Sequence, residues 1–144
     1  MKDQTKSTKA KDINRQWHLI DVKGKILGRI SSDIALLLMG KSKPNFVRNL
    51  DLGDYVVVIN AKEVKTTGNK EGLKNYYRHS GYPGGFKSET LANLRERKPQ
   101  DVIIHAVSGM LPQNKLKKQM LGRLYVFADA NHLYKDKFKK EELK

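Results

Sequence analysis

Hydrophobic positions change period along this chain, and each change marks an element. Trp17-His18-Leu19-Ile20-Asp21-Val22 reads as a short strand that ends at Lys23-Gly24-Lys25. From Leu27 the spacing becomes helical. Leu27, Ile30, Ile34, Leu37 and Leu38 share one side, Gly40 closes the helix and Pro44 lies beyond it. Tyr55-Val56-Val57-Val58-Ile59-Asn60 does not alternate, so it predicts a strand covered on both faces, as in a parallel sheet. Strand, helix and buried strand together make a βαβ unit.

Residues 62–87 lose that apolar order and become polar, aromatic and rich in glycine. They predict an irregular hairpin or long loop projecting from the sheet, with Lys74 to Tyr77 extended between two turns. Helix is expected again from Ser88, as N-cap, through Leu91 and Leu94 to Lys98. Pro99 suits the first turn of another helix, whose stripe is Val102, Ile103, Ala106, Val107 and Met110, and Pro112 stops it. A short helix from Lys115 to Leu121 and a last strand at Leu124-Tyr125-Val126-Phe127 complete the pattern. The expected organisation is a flexible basic arm at 1–14, one α/β domain at 15–128 and a charged tail at 129–144.

Composition narrows the function. The chain has 144 residues, 38% of them apolar, enough for one core with some residues left for surface and tail. It carries 29 Lys and Arg against 15 Asp and Glu, a net charge of +14. Such an excess repels itself, and an anionic partner relieves the repulsion. Nucleic acid fits better than a membrane, because no long apolar run and no clear basic amphipathic helix is present. With no cysteine, disulfides, thiolate zinc sites and a cysteine nucleophile are all excluded. The lysine-rich start lacks an apolar signal core, so a cytoplasmic location is expected.

Motifs for small-molecule chemistry fail on inspection. Gly40-Lys41-Ser42 ends a helix instead of opening one, and Ala35 stands where a phosphate-binding loop needs glycine. Gly24-Lys25-Ile26-Leu27-Gly28 lacks the close glycine pair of a dinucleotide site. His18, His79, His105 and His132 have no metal-ligand spacing, and His105 reads as structural beside its apolar stripe. Asp51-Leu52-Gly53-Asp54 reads more simply as a turn into the buried strand than as a metal site. No cofactor, metal or small-molecule substrate is therefore expected.

One stretch stands apart: Tyr76-Tyr77-Arg78-His79-Ser80-Gly81-Tyr82-Pro83-Gly84-Gly85. Rings for stacking, cations for phosphate and glycines for close backbone approach are the materials of an RNA grip. Lys70 and Lys74 precede it, and Arg29 at the first helix start is placed to reach a phosphate. Two further basic runs contain no acid: Lys41, Lys43 and Arg48 within 41–50, and Lys115, Lys117, Lys118 and Arg123 within 112–123. A solvated face normally intersperses acids, so these runs point to phosphate. The expected RNA-binding set is these residues with Tyr76, Tyr77, Arg78, His79 and Tyr82, and Arg78 and His79 lead it. Two other classes compete: an RNA-processing enzyme using His79 and Arg78, and a general DNA-binding protein. The enzyme lacks a second placed acid or base.

In this order the motifs resemble the bacterial type of the large ribosomal subunit protein 13 family over about residues 15–128. They are Trp17 with Asp21, Leu27-Gly28-Arg29, Gly40-Lys41-Ser42-Lys43-Pro44, the segment from Asp51 to Ala61, Thr67-Gly68-Asn69-Lys70, the Tyr76–Gly85 stretch, Pro99, and Ala106-Val107-Ser108-Gly109-Met110-Leu111-Pro112. The resemblance implies a three-layer α/β/α fold around a small, mostly parallel four-stranded sheet. It also implies a non-enzymatic, early-binding component of the large subunit, in contact with large-subunit ribosomal RNA and neighbouring ribosomal proteins. The chain departs from the family at Leu116-Lys117-Lys118, where Leu-Gly-Arg is usual. It departs again at His132-Leu133-Tyr134, where His-Pro-His is usual.

The doubly covered strand makes a direct prediction. Val57→Asp places an unpaired charge inside the sheet and should abolish the cooperative thermal transition followed by circular dichroism.

Overall fold

Three parallel strands carry the core in the computed structural model, which describes residues 8–138. Strand β1 (Trp17–Asp21) lies beside β2 (Tyr55–Ile59) in the register Trp17 with Tyr55 and Asp21 with Ile59. On the other side of β2 runs β5 (Leu124–Val126), with Val56 opposite Leu124. The central position of β2 explains its uninterrupted apolar run, since Val56, Val57 and Val58 are all fully buried.

Helix α1 (Leu27–Met39) connects β1 to β2. Its Ile30, Ile34 and Leu38 pack with Val56 and Val58, and with Ile103 and Val107 of α4 (Pro99–Met110). Val57 points to the opposite face, the side of Trp17, Tyr55 and Tyr125, with Tyr55 in register with Trp17 and Val57 in register with Tyr125. Trp17 stacks on Tyr55 at 4.4 Å between ring centroids and on Tyr125 at 5.9 Å. Tyr134 covers Tyr125 at 4.5 Å, and Phe138 of the short helix α6 (Lys135–Phe138) meets Trp17 edge-on.

Between β2 and α4 the chain forms α2 (Lys70–Leu73), β3 (Asn75–His79), β4 (Phe86–Thr90) and α3 (Leu91–Arg97). Strands β3 and β4 make an antiparallel hairpin separate from the main sheet. A second small core of Leu91, Leu94 and Val102, with Leu27 and Tyr76 against it, ties the hairpin base to the body.

Three expectations need correction. The main sheet has three strands among the described residues, not four. The extended segment expected near Lys74–Tyr77 lies in a hairpin with residues 86–90, one of the two forms expected for the projecting region, and an isolated parallel bridge joins Ile26 to Lys65. Ser88 belongs to β4, and the N-cap of α3 is Thr90, whose hydroxyl accepts from the Asn93 N–H at 3.4 Å. The expected helix near 115–121 begins at Lys117, as α5 (Lys117–Leu121). Of the expected arm and tail, residues 1–7 and 139–144 lie outside the described residues. Residues 8–14 touch the body through the Thr8 hydroxyl, which donates to Asn45 O at 3.0 Å, and through Asn14 O, which accepts from Lys43 Nζ at 2.7 Å.

The end of α1 meets the turn before β2 backbone to backbone. Gly40 caps the helix in the left-handed region at φ 72°, where a Cβ would lie 2.7 Å from Leu52 O. A Cβ on Gly53 would fall 1.7 Å from Leu38 O, deeper than any side-chain adjustment relieves. Gly53→Ala should therefore cost about 3 kcal/mol or more in urea unfolding, against little for Gly72→Ala, whose Cβ would meet open space.

Candidate nucleic-acid interface

Charge in this protein divides into an internal set and an outward set. The internal set surrounds the turn before β2. Asp51 and Asp54 are 8% and 2% exposed, and ionised carboxylates that deep need partners. Arg123 grips Asp51 with both terminal nitrogens and donates from Nη2 to Leu38 O at 3.2 Å, satisfying an orphan carbonyl of α1. Arg15 donates to Gly53 O at 2.7 Å and to Asp51 O at 3.1 Å. Asp54 accepts from Lys43 Nζ at 2.5 Å and from the Gln16 N–H at 2.9 Å, and His18 Nε2 lies 3.2 Å away. Burial opposes ionisation of Asp54, yet the Gln16 N–H, Lys43 and His18 together outweigh it and hold the carboxyl below its ordinary value.

Lys43 and Arg123 were expected to face RNA. The structure turns both inward: Lys43 also donates to Leu52 O at 2.9 Å, and Arg123 is 7% exposed. The Lys43 ammonium and both terminal nitrogens of Arg123 bond carboxylates and carbonyls of the chain itself. Both are therefore positioning residues and leave the candidate interface. The Asp51–Asp54 turn is likewise an ion-pair site. Among the described residues no group of His, Asp and Glu is arranged to hold a metal.

The outward-facing residues of the expected RNA-binding set fall in two places. At the first, the hairpin stands almost wholly in solvent. Tyr77 is 68% exposed and stacks on Phe86 at 5.6 Å, Tyr82 at the tip is 77% exposed, and Arg78 and His79 lie exposed at the end of β3. The tip is shaped by glycine: Gly81 and Gly84 have φ of 88° and 71°, and a Cβ on Gly85 would overlap the Ser80 hydroxyl. The Gly81 N–H donates to His79 Nδ1 at 2.9 Å. In the neutral ring this puts the proton on Nε2, leaving that nitrogen as a donor. At the hairpin base Arg29, Lys70 and Lys74 are exposed around one groove, with Lys74 Nζ 5.3 Å from the Tyr76 ring centroid. Tyr76 is half-buried, unlike Tyr77 and Tyr82, and its ring lies 5.3 Å from that of His105.

The second place unites the remaining basic runs. Lys41 and Arg48 border a hollow whose other wall is Pro112, Asn114 and Met120, so the loop carrying Lys115 and the start of α5 adjoin them. Lys115 and Lys118 are exposed, while Lys117 is half-buried and donates to Gln113 Oε1 at 2.8 Å.

Sequence reading did not single out Arg15, and it took His105 as structural. His105 is exposed at the groove. A helical projection carries the signal: Val102, Ile103 and Val107 are buried, and residue 105 lies off their stripe.

Fold and surface together define a basic, mixed α/β protein built on a small parallel sheet, with a cationic and aromatic hairpin set on its side. The model of the family described as Ribosomal protein L13 matches residues 15–133, and the chain belongs to this family. It is 54% identical over 128 residues to the large ribosomal subunit protein uL13 of Dehalococcoides mccartyi strain BAV1, covering 89% of this chain and 90% of that protein. The protein of the same description from Lawsonia intracellularis is 52% identical over 129 residues, with 90% of each chain covered. That of Geobacter sulfurreducens is 48% identical over 128 residues, covering 89% of this chain and 90% of the relative. The family is one of ribosomal proteins and not of enzymes, in agreement with the absence of a catalytic assignment from sequence. Among the described residues no helix is long and apolar enough to cross a membrane.

The paired Asp54 predicts an acid dependence. A carboxyl whose folded value is depressed stabilises the fold above its unfolded value, and that stability is lost as pH falls through the folded one. Asp54→Asn should lower urea stability by roughly 1–3 kcal/mol at pH 7. The gap from the parent should narrow progressively below the ordinary carboxyl value of 3.8.

Proposed function

We propose that this chain is a structural component of the large ribosomal subunit in the cytoplasm, binding large-subunit ribosomal RNA directly and assisting early subunit assembly. Its other partners are neighbouring ribosomal proteins. The observation that carries RNA contact is the hairpin: 17 residues, from Gly72 to Ser88, contain no acid, and they present Lys74, Tyr77, Arg78, His79, Tyr82 and Lys87 outward. Beyond Tyr76 at its base, the two-stranded hairpin stands in water and gains little from its own packing, so it is suited to being completed by a partner. Its rings offer faces to unstacked bases, and its cations meet phosphates.

Arg29, Lys70 and Lys74 extend this surface along the groove, and Lys41, Arg48, Lys115, Lys117 and Lys118 supply a second contact. Lys43 and Arg123 act indirectly by holding the turn that fixes α1, β2 and β5. Early assembly is consistent with a body whose core is complete without a partner, while the hairpin orders on RNA. The DNA-binding alternative predicts equal affinity for duplex DNA and structured ribosomal RNA, which competition at physiological salt distinguishes.

Counterion release gives the quantitative test. Six to ten phosphate contacts imply an affinity falling by about 10³–10⁵ between 50 and 200 mM salt. Lys74→Glu combined with Arg78→Glu should weaken binding to a large-subunit RNA fragment and flatten its salt dependence by about two ions, with the melting temperature unchanged. Unchanged RNA binding with a collapsed fold would make the hairpin structural.

A further inference from the structure

The groove at the hairpin base holds a cavity of about 480 Å³, a volume suited to a small organic ligand. Its floor is apolar, formed by Leu27, Leu91 and Met110, and one wall is the Tyr76–His105 ring pair. Arg29, Lys70 and Lys74 line the rim, all exposed, and no carboxylate among the described residues lines the cavity. An apolar floor, an aromatic wall and a rim of cations at one mouth match the parts of a nucleotide: a flat base, then its phosphate.

We infer that this cavity takes a single everted nucleotide of the bound RNA, its base against the Tyr76–His105 pair and its phosphate among Arg29, Lys70 and Lys74. The inference rests on the RNA-binding reading above and adds a subsite to it. Tyr76 therefore differs in task from Tyr77 and Tyr82. The exposed rings meet whatever RNA surface lies over the hairpin, while Tyr76, fixed against Leu91, Leu94 and Val102, presents one rigid wall to one base. Rigidity matters because a stacking ring already held in place loses little freedom on binding. An acidic or aromatic side chain of a neighbouring protein is the competing occupant. Three cations around one mouth favour the nucleotide, whose phosphate linkages bring charge from both sides of the base.

Two measurements on the full chain test this. In the first, adenosine monophosphate is titrated while the ring resonances of Tyr76, His105 and Trp17 are followed by NMR. Tyr76 and His105 should shift and saturate at concentrations where inorganic phosphate leaves them unmoved, with Trp17 constant. No shift, or the same shift with phosphate alone, overturns the subsite. In the second, Ala106→Phe fills the cavity without changing charge. It should weaken binding to a large-subunit RNA fragment by about 5- to 100-fold, with a salt dependence altered by no more than about one ion. Parent-like affinity in a folded Ala106→Phe protein overturns the subsite alone. Failure of the parent chain to bind the fragment overturns the RNA-binding reading itself. If Ala106→Phe does not fold, the titration decides.

Discussion

The close contact between the end of α1 and the turn before β2 is the constraint on which the rest depends. Two glycine backbones, Gly40 and Gly53, approach there too closely for side chains. The approach brings carbonyls of the helix end together with two buried carboxylates, an arrangement of like charge that would repel without cations. Arg123 resolves it by bonding Asp51 and Leu38 O together, while Lys43 and the Gln16 N–H hold Asp54. Because Arg123 immediately precedes β5 and Gln16 immediately precedes β1, one polar cluster sets the entry of the strands on both sides of β2. The parallel register follows from where these strands start. Such a cluster is costly to desolvate, so its value lies in specifying one arrangement as much as in stabilising it.

From that fixed sheet the surface is positioned by simple packing. Helix α1 is anchored at its end by the ion-pair cluster and along its length by Ile30, Ile34 and Leu38, so Arg29 at its start has a defined place. Helix α4 lies against α1 and carries His105, and its Val102 joins Leu91 and Leu94 in the small core under Tyr76. The hairpin thus grows from a rigid base into an exposed tip. Basic residues on this protein therefore differ in setting: Arg123 and Lys43 pair with buried acids of the chain, while Arg29, Lys70, Lys74 and Arg78 stand exposed.

That division is where the sequence was hardest to read. The doubly buried strand, the amphipathic α1 with its glycine stop, the proline-started α4 and a projecting region, read as 62–87, were all visible from local pattern, because each depends on neighbours a few residues away. The fates of Lys43 and Arg123 were not. Arg123 sits in an acid-free run, and its carboxylate is Asp51, 72 positions earlier. Charge counting over a window cannot detect a partner that only folding supplies. The strand count has another source: four strands came from the family resemblance, whereas the residues at 74–77 were read within a projecting hairpin or loop and do pair with 86–90. Ser88 was a reasonable helix cap by type, yet Thr90 takes the role because cross-strand pairing with β3 continues through residue 90.

The central claim is that the hairpin and the groove at its base are the surface that RNA covers. Amide hydrogen exchange of the full chain, with and without a large-subunit ribosomal RNA fragment, tests it most directly. The account predicts rapid exchange across 75–90 in the free protein, strong protection there and around residues 27–29 on RNA binding, and little change in the already protected β2. Saturating RNA binding that leaves residues 75–90 as exchangeable as in the free protein would contradict it.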